Sequence, residues 1–214
     1  MKIKALIAGV ALAASALPAH AELSATGGFV SDYYFRGVNL GDGGAYASLD
    51  YSAGGFYAGT WWIDDGAAGN DGLETDFYLG YGMEHDAFSW NIGYNRYEYT
   101  YASSFEHELD LTLSLSGFSL DIIKGSADSG EDNVDDEDYT VFIAGYSAGA
   151  FGVTLGSGEF DDIDDSGWNW AEVSFSGDIV EGISAGLTIG IMSDDADAQD
   201  DGYMVFDVSK SFDL

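Results

Sequence analysis

The chain of 214 residues contains no cysteine. That excludes a disulfide frame and any thiolate metal site. Its single proline is Pro18. Every later residue therefore keeps a backbone N–H, which suits strands whose donors are all committed to neighbours. Basic residues are scarce, with six Lys and Arg against 38 Asp and Glu and a formal net charge of −32. Nothing in such a chain can neutralise phosphates, so nucleic acid is excluded as a partner. Long apolar runs are also missing. After the first 21 residues no stretch approaches the ~18 apolar residues of a helical span.

The first 21 residues have their own logic. Lys2 and Lys4 form a basic start, Ala5 to Leu17 is apolar, and Ala19-His20-Ala21 fits a small-x-small cleavage site. The pattern predicts a Sec-type signal peptide over 1–21 and one mature domain over 22–214. Only Arg36, Arg96, Lys124 and Lys210 then remain as basic residues.

The mature region is built on alternation. Phe105, His107, Leu109, Leu111, Leu113 and Leu115 share one face, and Glu106, Glu108, Asp110, Thr112, Ser114 and Ser116 the other. A period of two over that length is a strand with one apolar and one polar side. About twelve such strands are expected, at 23–36, 44–52, 55–63, 73–84, 87–99, 104–116, 118–125, 139–147, 150–157, 168–176, 183–192 and 203–212. Connections near 53–54, 85–86, 117 and 148–149 are very short, and that at 177–182 slightly longer. Those at 37–43, 64–72, 100–103, 126–138, 158–167 and 193–202 are mostly long. The last three carry 17 of the 38 acids.

Short turns at one end and long acidic loops at the other predict an all-β fold. It is a transmembrane up-and-down antiparallel β-barrel with short periplasmic turns and long extracellular loops. A soluble sandwich would alternate too, but would not separate its loops this way. The expected location is the outer membrane of a Gram-negative bacterium, with outer-membrane lipid as a partner. Phe56, Phe88, Phe118 and Phe151, with Ile183 in the same place, each begin a strand after a tight turn. That position suits rings at the lipid–water boundary. Trp61, Trp62, Trp168, Trp170, Tyr33 and Tyr34 are expected to form the outer belt. Met204, Phe206, Val208 and Phe212 share a face of the last strand. That strand resembles the C-terminal signal read by the barrel-assembly machinery, although Asp213 and Leu214 follow the terminal aromatic.

The segment Ser31-Asp32-Tyr33-Tyr34-Phe35-Arg36-Gly37 resembles the opening motif of the proteobacterial TorF-like porin family. Gly55-Phe56-Tyr57-Ala58-Gly59-Thr60-Trp61 and Glu74-Thr75-Asp76-Phe77-Tyr78-Leu79-Gly80-Tyr81 are similar to its next pieces. The similarity covers about residues 24–100. It implies an outer-membrane barrel, a porin in name, with no established substrate and no catalytic residues to carry over.

The register assigns Asp32, Arg36, Glu74, Asp76, Glu106, Glu108, Asp110 and Asp121 to the lumen as pore-lining candidates, with Asp207 beside them. Two readings stay open. A water-filled lumen of this charge attracts small cations and admits neutral solutes. A plugged barrel instead uses Arg36 to neutralise a buried carboxylate cluster, and its acidic loops bind cations, lipid or a partner. Twelve strands lie between filled 8-strand barrels and open 16-strand porins. The acidic runs at 128–138, 161–165 and 194–201 lack the spacing of a calcium loop, so no metal site or cofactor is assigned. His85 falls in a turn and His107 on the apolar face, so no enzyme activity is expected. Oligomeric state is left open.

Overall fold

The computed structural model describes residues 21–64, 72–130, 135–194 and 201–214. The signal-peptide assignment over 1–20 and the middles of three acidic loops, at 65–71, 131–134 and 195–200, lie outside the described residues. Fourteen strands follow one another among the described residues. They are β1 (Glu22–Val30), β2 (Asp32–Phe35), β3 (Val38–Asp42), β4 (Ala45–Ala53), β5 (Phe56–Asp64), β6 (Leu73–His85) and β7 (Phe88–Tyr99). Then come β8 (Phe105–Leu115), β9 (Phe118–Asp128), β10 (Glu137–Ala148), β11 (Phe151–Phe160), β12 (Trp168–Val180), β13 (Ile183–Asp194) and β14 (Asp201–Asp213).

Twelve of these close into one antiparallel barrel, in the order β1-β14-β13-β12-β11-β10-β9-β8-β7-β6-β5-β4. Closure is made by β1, which pairs with β4 on one side and with β14 on the other. The seam runs from Ser24 opposite Asp213 to Val30 opposite Asp207. Closure leaves no sheet edge, which is what a spanning sheet needs.

Burial is inverted relative to a soluble protein. In β6, Glu74, Asp76 and Tyr78 are 2%, 2% and 8% exposed, while Phe77, Leu79, Tyr81 and Met83 are 44–54% exposed. Polar residues face the lumen and apolar ones face outward, as the alternation requires. Phe56, Phe88, Phe118 and Phe151 stand outward at the short-turn end, 42–62% exposed. Five two-residue turns join the hairpins there, including 177–182, where β12 extends to Val180 and leaves only Glu181-Gly182. Gly54-Gly55 and Ser116-Gly117 both have positive φ at each position, as the twist-matched type I′ turn requires.

Two expectations are corrected. The segment 23–36 is not one wall strand. It leaves the wall at Ser31, whose N–H donates to the Phe206 carbonyl at 2.8 Å and whose Oγ accepts from the Phe206 N–H at 2.9 Å. The seam is thereby sealed, and the chain turns inward as the separate hairpin β2–β3. Gly43 and Gly44 bring it back. A Cβ there would sit 2.2 Å from the Ser31 carbonyl oxygen or 1.9 Å from that of Asp64, so only glycine permits the approach. The outer aromatic belt is the second correction. Trp61, Trp168 and Trp170 take the inward register, Tyr33 and Tyr34 lie on the hairpin, and Trp62 alone of that set takes the outward one.

Large inward rings are seated by facing glycines. Tyr46 lies over Gly28, Tyr78 over Gly59, Tyr57 over Gly80 and Tyr139 over Gly125. Trp170 lies over Gly156, Trp168 over Gly158 and Tyr203 over Gly190. In every pair a Cβ on the glycine would come within 2.0–2.5 Å of the ring. Two apolar clusters that include some of these rings lie in the long-loop half of the lumen. One gathers Val30, Tyr33, Ile63, Tyr203 and Val205, the other Ile123, Tyr139, Val141 and Trp170. Inward positions nearer the short turns, such as Ser114, Ser119, Gly145 and Ser174, are small.

Gly156→Ala is expected to destabilise the refolded barrel by about 1–3 kcal/mol through overpacking against Trp170. Gly27→Ala, where nothing lies within 4 Å, should leave stability unchanged. Urea titration read by tryptophan fluorescence checks both.

Candidate functional site

The hairpin crosses the lumen. Tyr33 donates to Glu74 Oε1 on β6 at 2.7 Å, and Tyr34 stacks on Tyr203 of β14 with centroids 4.1 Å apart. Phe35 meets Tyr97 of β7 at 5.9 Å, and Gly37 rests against Trp170 of β12 and Met192 of β13. The tip is Arg36-Gly37, with φ of 52° and 84°. A type I′ turn prefers Asn-Gly or Asp-Gly, so arginine breaks the local rule. Its reach supplies the reason. Arg36 Nη1 and Nη2 donate to Glu108 Oε1 and Oε2 at 2.5 and 2.9 Å.

Glu108 is fully buried, at 0% exposure. Tyr97 donates to its Oε2 at 2.7 Å and Tyr139 to its Oε1 at 2.9 Å. Four donors thus fill the acceptor capacity of one carboxylate. A bidentate guanidinium with further hydrogen bonds is the geometry in which a buried ion pair can persist.

Of the expected lumen residues, Glu74, Asp76, Glu106, Glu108, Asp110 and Asp121 all face inward from β6, β8 and β9, and Asp207 does so from β14. Arg36 reaches the lumen from the hairpin tip rather than from the wall, and Asp32 lies at the hairpin base opposite Asp42. The structure adds two carboxylates. Asp50 accepts from Tyr78 and from Ser48, the latter at 2.7 Å, and Glu172 accepts from Tyr203 at 2.7 Å. Both were open to the alternation argument. Asp50 opposes the outward Leu49 and Tyr51, and Glu172 shares a face with Trp170, whose inward setting was missed.

The other pairs follow one pattern. Tyr46 donates to Asp207 at 2.7 Å and Tyr99 to Glu106 at 3.4 Å, and the Tyr139 hydroxyl, which donates to Glu108, lies 3.2 Å from Glu106 Oε2. Asn95 donates to Asp110 Oδ2. Asp76 Oδ1 and Asp110 Oδ1 are buried without a hydrogen-bond partner. The other cations among the described residues point outward. Arg96 pairs with Glu98 at 2.7 Å and covers the Phe105 ring at 3.9 Å. Lys124 pairs with Asp161 in the 161–167 loop and holds that carboxyl below its ordinary range through the hydrogen bond. Lys210 sits 5.0 Å from the Phe212 ring.

Toward the long-loop end, a cavity of about 270 Å³ opens above the ion pair. Its walls are Phe35, Val38, Leu40, Phe160 and Trp168. Its polar lining is Arg36, Glu74, Glu106 and the hydroxyl-bearing Tyr97, Tyr99 and Tyr139. Among the described residues, no group of three or more potential metal ligands is assembled.

Residues 13–115 match a family described as a bacterial protein of unknown function (Gcw_chp). No curated protein matches the chain in sequence. Among solved structures it is similar to the KdgM porin, at 10% identity and a TM-score of 0.54, over 89% of this chain and 99% of that one. The same porin in complex with disordered oligogalacturonate matches at 9% identity and a TM-score of 0.54, over 90% and 99%. An outer membrane channel from Pseudomonas putida F1 matches at 12% identity and a TM-score of 0.54, over 92% and 97%. The fold is that of outer-membrane porin barrels.

Removing one partner from the buried pair strands the other charge. Glu108→Gln should cost about 3–5 kcal/mol. The double variant Glu108→Gln with Arg36→Met should recover part of that loss. Equilibrium unfolding of the refolded proteins gives both numbers.

Proposed function

We propose that the protein is an outer-membrane channel for small cationic or neutral solutes, with the β2–β3 hairpin as its constriction. The carrying observation is the charge of the interior. Carboxylates from β4, β6, β8, β9, β12 and β14 face the lumen, and Arg36 is the one basic side chain among the described residues that joins them. Low-dielectric walls focus such a field, attract cations and repel anions. The TorF-like resemblance supports the same reading, because its opening motif, Ser31 to Gly37, is the strand and turn that build the constriction. The Sec signal over 1–21 and the outward placing of the long acidic loops belong to this reading. So do lipid contact through the exposed apolar band and assembly through β14, where Met204, Phe206 and Phe212 face outward. Oligogalacturonate, the bound partner of the KdgM porin, is polyanionic and is a poor fit to this lumen.

A second reading is favoured by one observation. Glu108 has no solvent contact, and Tyr139, which donates to it, belongs to an apolar cluster with Ile123, Val141 and Trp170. In that case the barrel is closed and the acidic loops act at the surface.

Refolded mature protein in a planar bilayer under a KCl gradient separates the two. The channel reading expects discrete steps and a cation-selective reversal potential. Asp110→Asn combined with Asp121→Asn should then lower the cation-to-anion permeability ratio roughly twofold. A folded protein that stays electrically silent removes the channel reading in favour of the closed barrel.

A further inference from the structure

We infer that the cavity above the ion pair binds a small organic cation, a protonated primary amine carried on a compact aromatic or branched apolar body. It takes its charge sign from the same carboxylate lumen as the proposed channel, but binding requires no conduction.

Two features of the cavity demand two features of the ligand. The first is carboxylate capacity. Glu106 lines the cavity, with Tyr99 donating at 3.4 Å and the Tyr139 oxygen, which donates to Glu108, 3.2 Å away. The hydrogen bonds to Glu108 are 2.5–2.9 Å. Arg36 is therefore committed to Glu108, and Glu106 has one long bond from Tyr99 and at most a share of the single Tyr139 hydrogen. Glu74 lines the same cavity, and Asp76 lies two residues further along β6. The Asp76 Oδ1 is buried without a hydrogen-bond partner. A cluster of this sign with one internal cation calls for another positive group. The unmet need is for N–H donors, which a primary ammonium has in threes and a quaternary ammonium lacks.

The second feature is the apolar wall. Phe160 and Trp168 stand 5.9 Å apart at 43°, and Tyr139 meets Phe160 edge-on at 5.7 Å. Val38 and Leu40 of the hairpin also line the cavity. A bare metal ion gains nothing from such walls, whereas an apolar body does, and aromatic faces add attraction for the cationic head. The Trp168 indole N–H is also buried without an acceptor, so a body bearing a hydroxyl or carbonyl can gain a further bond.

The test is equilibrium binding to the refolded full barrel in detergent, by calorimetry and tryptophan fluorescence. Phenethylammonium is the probe, phenylacetate the control of opposite charge, and methylammonium the control without a body. Saturable binding of phenethylammonium, about tenfold tighter than either control, is expected. Glu106→Gln should weaken it by about tenfold while the heat-dependent gel shift of the folded barrel is retained. If that variant does not refold, Trp168→Leu should weaken phenethylammonium and leave methylammonium unchanged. Equal binding of phenylacetate, or indifference to whichever of these substitutions folds, overturns the assignment. Saturable binding in a protein that is silent in the bilayer supports the site and removes the channel. Absence of saturable binding overturns the site whatever the conductance.

Discussion

Everything in this structure depends on the pairing of β1 with β14. In hydrocarbon each unpaired backbone group costs several kcal/mol, so a spanning sheet must close on itself. Once it closes, the burial rule inverts. Leu79, Met83 and Phe206 become surface residues, and Glu74, Asp76 and Glu108 become interior ones. The interior then holds two small apolar clusters beside buried carboxylates. It must manage a column of carboxylates with whatever donors the inward register and the hairpin supply.

The hairpin is the main device for that. It costs the seam its upper pairs, since β1 stops at Val30 while β14 continues to Asp201. It also places a non-glycine residue, Arg36, at positive φ. The return is a guanidinium delivered to the far wall, at a carboxylate that no wall strand could reach with a cation. Arg96, Lys124 and Lys210 all lie on outward registers. The glycine-seated rings of β10, β12 and β14 complete the packing around it. Removing either the inward chain or the seats would leave Glu108 buried with too few donors.

The period of two made the wall strands legible, and with them the inward setting of Glu74, Asp76, Glu106, Glu108, Asp110 and Asp121. The two loop classes made the closure and its polarity legible. What stayed hidden is non-local. Residues 32–35 alternate like a wall strand, so nothing in the segment itself announces that it leaves the sheet. The Arg36-Gly37 pair is a turn signal only when two positive φ values are already known, because arginine is an unusual first turn residue. The inward setting of Trp61, Trp168 and Trp170 was written in the register. It was obscured by the general preference of tryptophan for membrane interfaces, and the facing glycines at 156 and 158 were the available clue against it.

The choice of donor carries the last step. Seven tyrosines, at positions 33, 46, 78, 97, 99, 139 and 203, donate to lumen carboxylates. A lysine or arginine in each place would satisfy the same oxygens and cancel their charge. A phenol hydroxyl satisfies the oxygen and leaves the charge in place. Tyrosine therefore separates two requirements that usually travel together, hydrogen-bond satisfaction and neutralisation. The interior is tied together by directed bonds and by rings seated on glycine. One guanidinium is spent where burial is complete. Elsewhere the carboxylates are met by neutral hydroxyl donors.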